Sequence, residues 1–103
     1  MGIRMTLPTK VVLLSLFHAQ HPMYGLQLVS ECGLRSGSIH PILARLEQTG
    51  LVRSWWEVID QSAEGRRRRR FYELTPEGVR EAARLEEAEG ERRTGWAVRP
   101  VAP

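Results

Sequence analysis

Residues 24–74 read YGLQLVSECGLRSGSIHPILARLEQTGLVRSWWEVIDQSAEGRRRRRFYEL and contain apolar-patterned segments separated by turn residues. Gln27–Glu31 is predicted to form a short helix, which Tyr24-Gly25 opens, and Cys32–Leu34 its turn. Leu26 and Val29 are expected to face inward from this helix, with Leu28 as a further candidate. Ser36–Thr49 is predicted to form a second helix, because its apolar residues recur at i, i+3, i+4 and i+7, the spacing of one buried helix face. These residues are Ile39, Ile42, Leu43 and Leu46.

A basic hairpin follows the second helix. Leu51–Ile59 is rich in apolar and aromatic residues and predicts a strand, and Phe71–Leu74 predicts the returning strand. Gly65 and five consecutive arginines, Arg66–Arg70, lie between them. Helix, turn, helix and hairpin in this order predict a winged helix-turn-helix, a mainly helical fold with a small β-hairpin as its wing. A helix with a polar outer face beside a cationic loop suits a polyanionic ligand.

Hydroxyl residues mark the expected helix starts. Thr6 or Thr9 can cap a first helix over about Lys10–Ala19, which gives the core three helices. Ser36 is the expected N-cap of the second helix of the helix-turn-helix, with Ser38 as the alternative.

The C-terminal part predicts a fourth helix and a tail. Thr75-Pro76-Glu77 combines a hydroxyl cap, a proline at the first helical position and an acid, and this helix is expected to end near Glu89. One domain over 1–90, including the C-terminal helix over 75–90, is therefore expected. A flexible tail is expected over 91–103.

Charge is unevenly distributed along the 103 residues. The net charge is only +3, but residues 1–75 carry ten basic and six acidic side chains, and residues 76–103 carry five and six. The excess positive charge therefore lies in the helix and hairpin part, with its densest point at Arg66–Arg70. A chain of this length has room for one domain with a modest core, which a partner subunit can complete.

Several classes of function and site are disfavoured. Cys32 is the only cysteine, so an internal disulfide and a thiolate zinc site are excluded, and no cofactor is expected. Val11–Phe17 is too short an apolar run to span a bilayer, so a cytoplasmic location is expected.

An enzyme and a metal site are also disfavoured. The sequence contains no nucleophile–base pair, glycine-rich phosphate loop or carboxylate pair that would suggest an enzyme. His40 is not expected to bind a metal, because His18 and His21 lie on another helix and no acid or thiol joins them.

An ordered set of short segments runs along the chain: Tyr24-Gly25, Ser38-Ile39-His40-Pro41-Ile42-Leu43, Leu46-Glu47, Gly50-Leu51-Val52, Trp56-Glu57, Gly65-Arg66-Arg67 and Phe71-Tyr72-Glu73-Leu74-Thr75-Pro76-Glu77-Gly78. With this set, the sequence resembles the PadR-type bacterial winged-helix transcriptional regulators over about residues 8–88. His40 stands where the family usually has tyrosine. Since the chain stops soon after the fourth helix, it resembles the short form, which lacks a separate C-terminal dimerisation domain.

The resemblance implies a homodimeric, sequence-specific regulator on palindromic double-stranded DNA. A repressor that a small-molecule effector releases is expected, and a small aromatic compound is a candidate effector. In proteins of this type the fourth helix packs with the partner's first helix. The residues expected there are Val79, Ala82, Ala83 and Leu85, with Val11, Val12, Leu14 or Leu16 from the first helix, of which Val11 and Leu14 are preferred. The alternative function is that of a protein-interaction or assembly module. Such a module would not need five arginines in its wing.

The residues predicted to contact DNA lie in the second helix of the helix-turn-helix and in the wing: Arg35, Ser36, Ser38, His40, Arg45, Arg66, Arg67 and Arg68. The wing arginines are expected to bind phosphates and supply affinity, with Arg69 and Arg70 partly structural. Ser38 and His40 are expected at phosphates or base edges, since recognition helices present their N-terminal ends to the major groove. The alternatives are a solvated arginine loop and serines that only cap the helix.

The tryptophans and the cysteine have open roles. Of Trp55 and Trp56, at most one can face a given pocket, because adjacent strand residues point to opposite faces, and Trp56 is expected in the core or an interface. Trp96 does not align with the tryptophan that lines a drug-binding pore in one branch of the family, since that position is Glu89 here. Cys32 is expected to be a small buried residue.

Overall fold

The computed structural model describes the backbone of residues 5–97 and the side chains of residues 5–90. The elements follow one another as α1 Leu7–His18, β1 Met23–Tyr24, α2 Gly25–Cys32, α3 Ser36–Gln48, β2 Val52–Trp56, α4 Gln61–Glu64, β3 Arg70–Leu74 and α5 Pro76–Ala97. The strands form one antiparallel sheet in the order β1-β3-β2. This is the predicted winged helix-turn-helix, in which β2, α4 and β3 form the wing.

Hydroxyl capping starts α1 but not α3. Thr6 is the N-cap of α1, and its hydroxyl accepts the N–H of Thr9 at 3.4 Å. The N-cap of α3 is Arg35, whose carbonyl accepts the N–H of Ser38 at 2.9 Å. The prediction that Ser36 or Ser38 caps α3 was wrong, because both already lie inside the helix and are exposed there.

The core lies between α1, α2, α3 and the sheet. The four apolar residues predicted to face inward from α3 are buried: Ile39, Ile42, Leu43 and Leu46. They belong to one cluster with Val12, Leu13, Leu28, Val52 and Tyr72. Burial of one such aliphatic side chain stabilises the folded state by about 1.5–3 kcal/mol.

α2 begins at Gly25, where Tyr24-Gly25 was predicted to open it, and it ends at Gly33, which has a left-handed conformation with φ 68°. Its fully buried residue is Leu28. The prediction that Leu26 faces inward was wrong, because this residue, in the first turn of the helix, is 75% exposed. The first turn of α2 therefore lies at the surface, beside the wing.

β1 was not predicted from the sequence. Met23 pairs with Tyr72 and Tyr24 with Phe71, so the predicted hairpin is part of a three-stranded sheet. Two residues are too few for an alternating pattern to be recognised. Because β1 is so short, β3 has an open edge on this side before Phe71.

The wing has shorter strands than predicted and contains a helical turn, α4. β2 ends at Trp56 and not at Ile59. Asp60 caps α4 by accepting the N–H of Ser62 at 3.0 Å, and Gly65, with φ 70°, ends it. An aspartate followed five residues later by a glycine is the sequence signal that could have predicted this turn. The arginine run leads from α4 into β3.

The start of α5 is fixed to the turn between α3 and β2. The Thr75 hydroxyl donates to the carbonyl of Gly50 at 2.6 Å and accepts the N–H of Gly78 at 3.0 Å. The N–H of Thr75 donates to the carbonyl of Leu51 at 3.0 Å. A Cβ on Gly78 would lie 2.0 Å from the carbonyl oxygen of Leu51, so only glycine permits this approach. The contact sets the direction in which α5 leaves the domain.

α5 continues beyond its predicted end. It runs through Gly90 to Ala97, so the expected end near Glu89 and the expected tail over 91–97 were wrong. A glycine inside a helix costs about 1 kcal/mol relative to alanine, which does not end a helix that consists mostly of good helix formers. The rest of the expected tail, 98–103, lies outside the described residues. Over the part that is described, no helix is both long and apolar enough to cross a membrane.

Candidate nucleic-acid interface

α3 exposes a broad polar face opposite its buried stripe. Ser36, Ser38, His40 and Arg45 are exposed on the helix, and Arg35 is exposed at its N-cap. Successive helix residues are about 100° apart, so Ser36 and His40 lie at one edge of this face and Ser38 and Arg45 at the other. Ser36 and His40 border a cleft beside the wing. The five predicted residues are thus accessible, but they form two groups.

Arg66 is held inside the wing. Its guanidinium donates to both carboxylate oxygens of Glu57, from Nη1 at 2.7 Å and from Nη2 at 3.0 Å. The hydrogen bond from Arg66 lowers the pKa of Glu57 to about 2, and the same bond raises the pKa of Arg66. Arg66 was predicted to contact DNA, but this carboxylate compensates its charge and its side chain is only 33% exposed. We therefore assign Arg66 to the support of the wing.

Arg67 and Arg68 are the exposed arginines of the run Arg66–Arg70 in the wing. The N–H of Arg68 donates to the side-chain oxygen of Gln61 at 3.2 Å, which fixes the backbone and leaves the side chain in solvent. Within residues 5–90, no ion pair involves either guanidinium. Two adjacent uncompensated cations therefore project from the wing, as contact with a polyanion requires.

Arg69 and Arg70 lie over aromatic rings. The guanidinium carbon of Arg69 is 4.2 Å from the ring centroid of Tyr24. That of Arg70 is 5.1 Å from the ring centroid of Trp56, and its Nη2 is 4.0 Å from a carboxylate oxygen of Glu47 in α3. Both arginines were predicted to be partly structural. Arg70 fits this prediction because it links the sheet to α3. Arg69 contacts the ring of Tyr24, which is neutral and does not compensate the charge of the arginine.

The neighbouring tryptophans of β2 point to opposite faces of the sheet. Trp55 stacks on Phe71 with ring centroids 6.2 Å apart, whereas Trp56 lies under Arg70. Trp56 was expected in the core or an interface; it is 54% exposed, which excludes the core, and the interface position stays a prediction. It lies at the end of β2, beyond the part of the sheet that α3 covers. Trp96 is part of α5, but its side chain lies outside the described residues.

The predicted dimer residues differ in accessibility. Two are exposed on α5: Val79 and Ala83. Three are partly buried within their own chain: Val11, Leu14 and Leu85. Three are buried in the core: Val12, Leu16 and Ala82. A residue with at most 6% of its surface exposed adds almost no area to an interface, so these three do not contribute as predicted. The cause is packing of α1 along α5, with Lys10 Nζ 3.6 Å from Glu89 and His18 Nε2 3.1 Å from Glu86.

Cys32 lies where α2 meets α1. Its thiol donates to the hydroxyl of Ser15 at 3.4 Å, and burial raises its pKa. A thiol with a raised pKa is a poor nucleophile, which agrees with a packing role. Across the described side chains, no group of three His, Cys, Asp or Glu residues is placed to hold a metal ion.

An exposed polar helix beside a basic wing is typical of DNA-binding regulators, and the comparison with known protein families points to the same class of protein. A model of the transcriptional regulator PadR-like family matches residues 13–84. The chain belongs to this family. The PadR-like match includes both helices of the helix-turn-helix, the whole wing and the start of α5, and it confirms the family predicted from the sequence. No curated protein matches the chain significantly in sequence.

Solved structures of bacterial regulators share the fold of this PadR-like chain. The PcaV transcriptional regulator from Streptomyces coelicolor, in complex with its natural ligand, has a TM-score of 0.73 and 26% identity, over 95% of this chain and 64% of PcaV. A ZitR variant from Lactococcus lactis has a TM-score of 0.73 and 12% identity, over 93% and 60%. A probable transcriptional regulator from Pseudomonas aeruginosa has a TM-score of 0.73 and 22% identity, over 97% and 70%. The chain thus spans less than two thirds of PcaV and of ZitR.

Proposed function

We propose that this PadR-like chain is a sequence-specific regulator of transcription that binds double-stranded DNA. The observation that carries the proposal is the exposed polar face of α3 beside the two exposed, uncompensated arginines of the wing, Arg67 and Arg68. We place α3 in the major groove, as in other helix-turn-helix proteins, and the wing on the adjacent backbone. The family match supports the same function.

Affinity and sequence reading are assigned to different residues. Arg67 and Arg68 bind phosphates, which position the protein without reading the sequence. Ser38 and Arg45, at the far edge of the exposed face of α3, reach base edges, to which both side chains can donate hydrogen bonds. Arg35, at the N-cap of α3, contacts the neighbouring backbone.

We further propose a homodimer on a palindromic site. One copy reads only a few base pairs, and related folds gain specificity from twofold symmetry. Val79 and Ala83, which are exposed on α5, form the centre of the proposed interface. The accessible parts of Val11, Leu14 and Leu85 extend it. Half-sites are then separated by about ten base pairs or a multiple of that spacing.

A repressor that a small molecule releases is the regulatory form that we propose. α1 and α2 border an open groove of about 750 Å³, lined by Val11, Leu14, His18 and Gln27 among others. Small-molecule sites typically measure about 300–1,000 Å³ and combine apolar walls with a few polar groups, which suits a small aromatic effector. The PcaV structure contains that protein's natural ligand. The proposed place of action is the cytoplasm, where bacterial DNA lies.

Selection of DNA from a random pool of duplexes tests this function. The protein should enrich a palindromic sequence and bind it roughly a thousandfold or more tightly than random DNA. Ser38→Ala should reduce this preference more than it reduces the affinity for random DNA, because base contacts specify. The absence of both enrichment and salt-dependent binding to DNA would instead favour a protein-interaction module.

A further inference from the structure

A cationic cleft lies at the open edge of β3, between the wing and the first turns of α2 and α3. Its volume is about 420 Å³, and its walls include Tyr24, Leu26, Ser36, His40 and Arg69. The cleft exists because β1 is only two residues long and leaves the start of β3 uncovered. A ligand in this cleft would contact the wing and the helix-turn-helix together.

Four arginines of the wing line the cleft, and two of them have no acidic partner. Arg66 is paired with Glu57, and Arg70 lies close to a glutamate of α3. Arg67 and Arg69 take part in none of the ion pairs among residues 5–90. No aspartate or glutamate of the described chain lines the cleft. Its charge therefore remains available to an anion.

Arg69 is held against an aromatic ring. Its guanidinium carbon lies 4.2 Å from the ring centroid of Tyr24. Tyr24 is itself fixed, because its N–H donates to the side-chain oxygen of Gln27 at 3.1 Å and its ring packs edge-to-face on Phe71 at 5.8 Å. Stacking uses the face of the guanidinium and leaves its in-plane N–H donors for oxygen acceptors. Less side-chain entropy is then lost when those hydrogen bonds form.

The opposite wall adds further polar groups. His40 packs on the first turn of α2, since a Cβ on Gly25 would lie 3.5 Å from His40 Cε1. Ser36 contributes a hydroxyl from the first turn of α3. The exposed side chain of Leu26 provides an apolar contact at the rim, which suits a sugar next to the anion. The cleft thus combines cationic donors with one apolar edge.

We infer that this cleft binds one phosphodiester group of the DNA backbone, with Arg69 as its main ligand and His40 as a further donor. The inference rests on the proposed function and adds a contact at the junction of wing and helix-turn-helix. It makes Arg69, which was expected to be partly structural, a binding residue, and it assigns His40, which was expected at a phosphate or a base edge, to a phosphate. A phosphate that is held by the wing on one side and by the helix-turn-helix on the other fixes the position of the wing relative to α3.

Arg69→Gln tests the main ligand. The variant should bind selected and random DNA more weakly by the same factor, about tenfold or more, since a hydrogen bond to a charged group is lost. The slope of log affinity against log salt should fall by about 0.9 per bound protomer. The matched control is Arg53→Gln, which removes an arginine of the same sheet that pairs with Glu73 outside the cleft. An unchanged slope for Arg69→Gln would overturn the inference.

A methylphosphonate scan identifies the bound group. Each phosphate of the selected duplex is replaced in turn by an uncharged methylphosphonate. One position in each half-site should weaken the wild type by about tenfold and have little further effect on Arg69→Gln. If the loss from the methylphosphonate and the loss from Arg69→Gln add independently at every position, the inference is overturned, while the DNA-binding function remains intact. A wild type that binds no DNA would overturn both.

Inorganic pyrophosphate distinguishes the DNA backbone from a free phosphate ester. Calorimetry without DNA should show no saturable binding of pyrophosphate at micromolar concentration, because a single open cleft gains affinity from the other contacts along the duplex. Micromolar binding that Arg69→Gln abolishes would assign the cleft to a soluble phosphate ester and overturn the assignment to DNA.

Discussion

Glu57 gives the arginine run its shape. Its carboxylate binds the Arg66 guanidinium and accepts the N–H of Arg69 at 3.1 Å, and its own N–H donates to the Arg69 carbonyl at 2.8 Å. One residue thus holds both ends of the segment from Arg66 to Arg69. Arg67 and Arg68, which lie between these ends, are left to project into solvent.

Glu57 should therefore stay ionised at unusually low pH. Its pKa is about 2, compared with an ordinary value of 4.5, mainly because of the hydrogen bond from Arg66. A carbon-13 NMR titration of its carboxyl group should give a midpoint near this lowered value. Arg66→Ala should move the midpoint back toward 4.5, and Arg67→Ala, the matched control, should leave it unchanged.

The pairing of Glu57 with Arg66 makes the stability of the fold depend on pH. Since the pKa of Glu57 is lower in the folded than in the unfolded chain, its pairing stabilises the fold fully above about pH 4.5. That contribution is lost as the pH falls from 4.5 toward 2. A wild-type midpoint near 4.5 would contradict the Glu57–Arg66 pair.

For the helices and strands, periodicity determined what the sequence could predict. The buried stripe of α3 was predictable because four residues repeat with helical spacing, and the wing because two strands flank a turn. β1 was missed because two residues show no period. The distinct roles of Arg66 and Arg69 could not be predicted, because their partners Glu57 and Tyr24 become neighbours only through the fold.

Gly78→Ala should destabilise the fold through one contact of α5. The added methyl group would lie 2.0 Å from the carbonyl oxygen of Leu51, so the helix must shift away from the turn between α3 and β2. The expected loss in the free energy of unfolding is about 1–3 kcal/mol or more, as for overpacked cores.

Gly90→Ala is the matched control in the same helix. A Cβ at Gly90 meets no atom within 4 Å, and alanine is the better helix former, so this variant should gain up to about 1 kcal/mol. Denaturant unfolding of both variants checks the pair of predictions. Shifts of equal sign and size would contradict the role given to Gly78.

The accessible apolar surface of α5 defines the proposed dimer. Val79 is 45% exposed, and Ala83 follows one helical turn later on the same side. Ala88 is exposed nine residues after Val79, which places it about 180° around the helix. The two sides of α5 can therefore be tested separately.

Val79→Glu should weaken association without unfolding the domain, because a charge at an apolar interface loses its hydration. Sedimentation equilibrium should give the wild type twice the chain mass of 11.8 kDa and the variant a mass close to the single chain. Ala88→Glu, the control, should remain dimeric. A wild type that stays monomeric on and off a palindromic duplex would refute the dimer.

The salt dependence of DNA binding decides whether the wing and α3 form a DNA-binding surface. The double variant Arg67→Ala/Arg68→Ala should lower the slope of log affinity against log salt by about 1.8 per bound protomer, equally on selected and random DNA. Arg80→Ala removes an exposed arginine that pairs with Glu77 on α5, and it should leave the slope unchanged. A double variant with wild-type affinity at both low and high salt would show that the wing does not contact DNA.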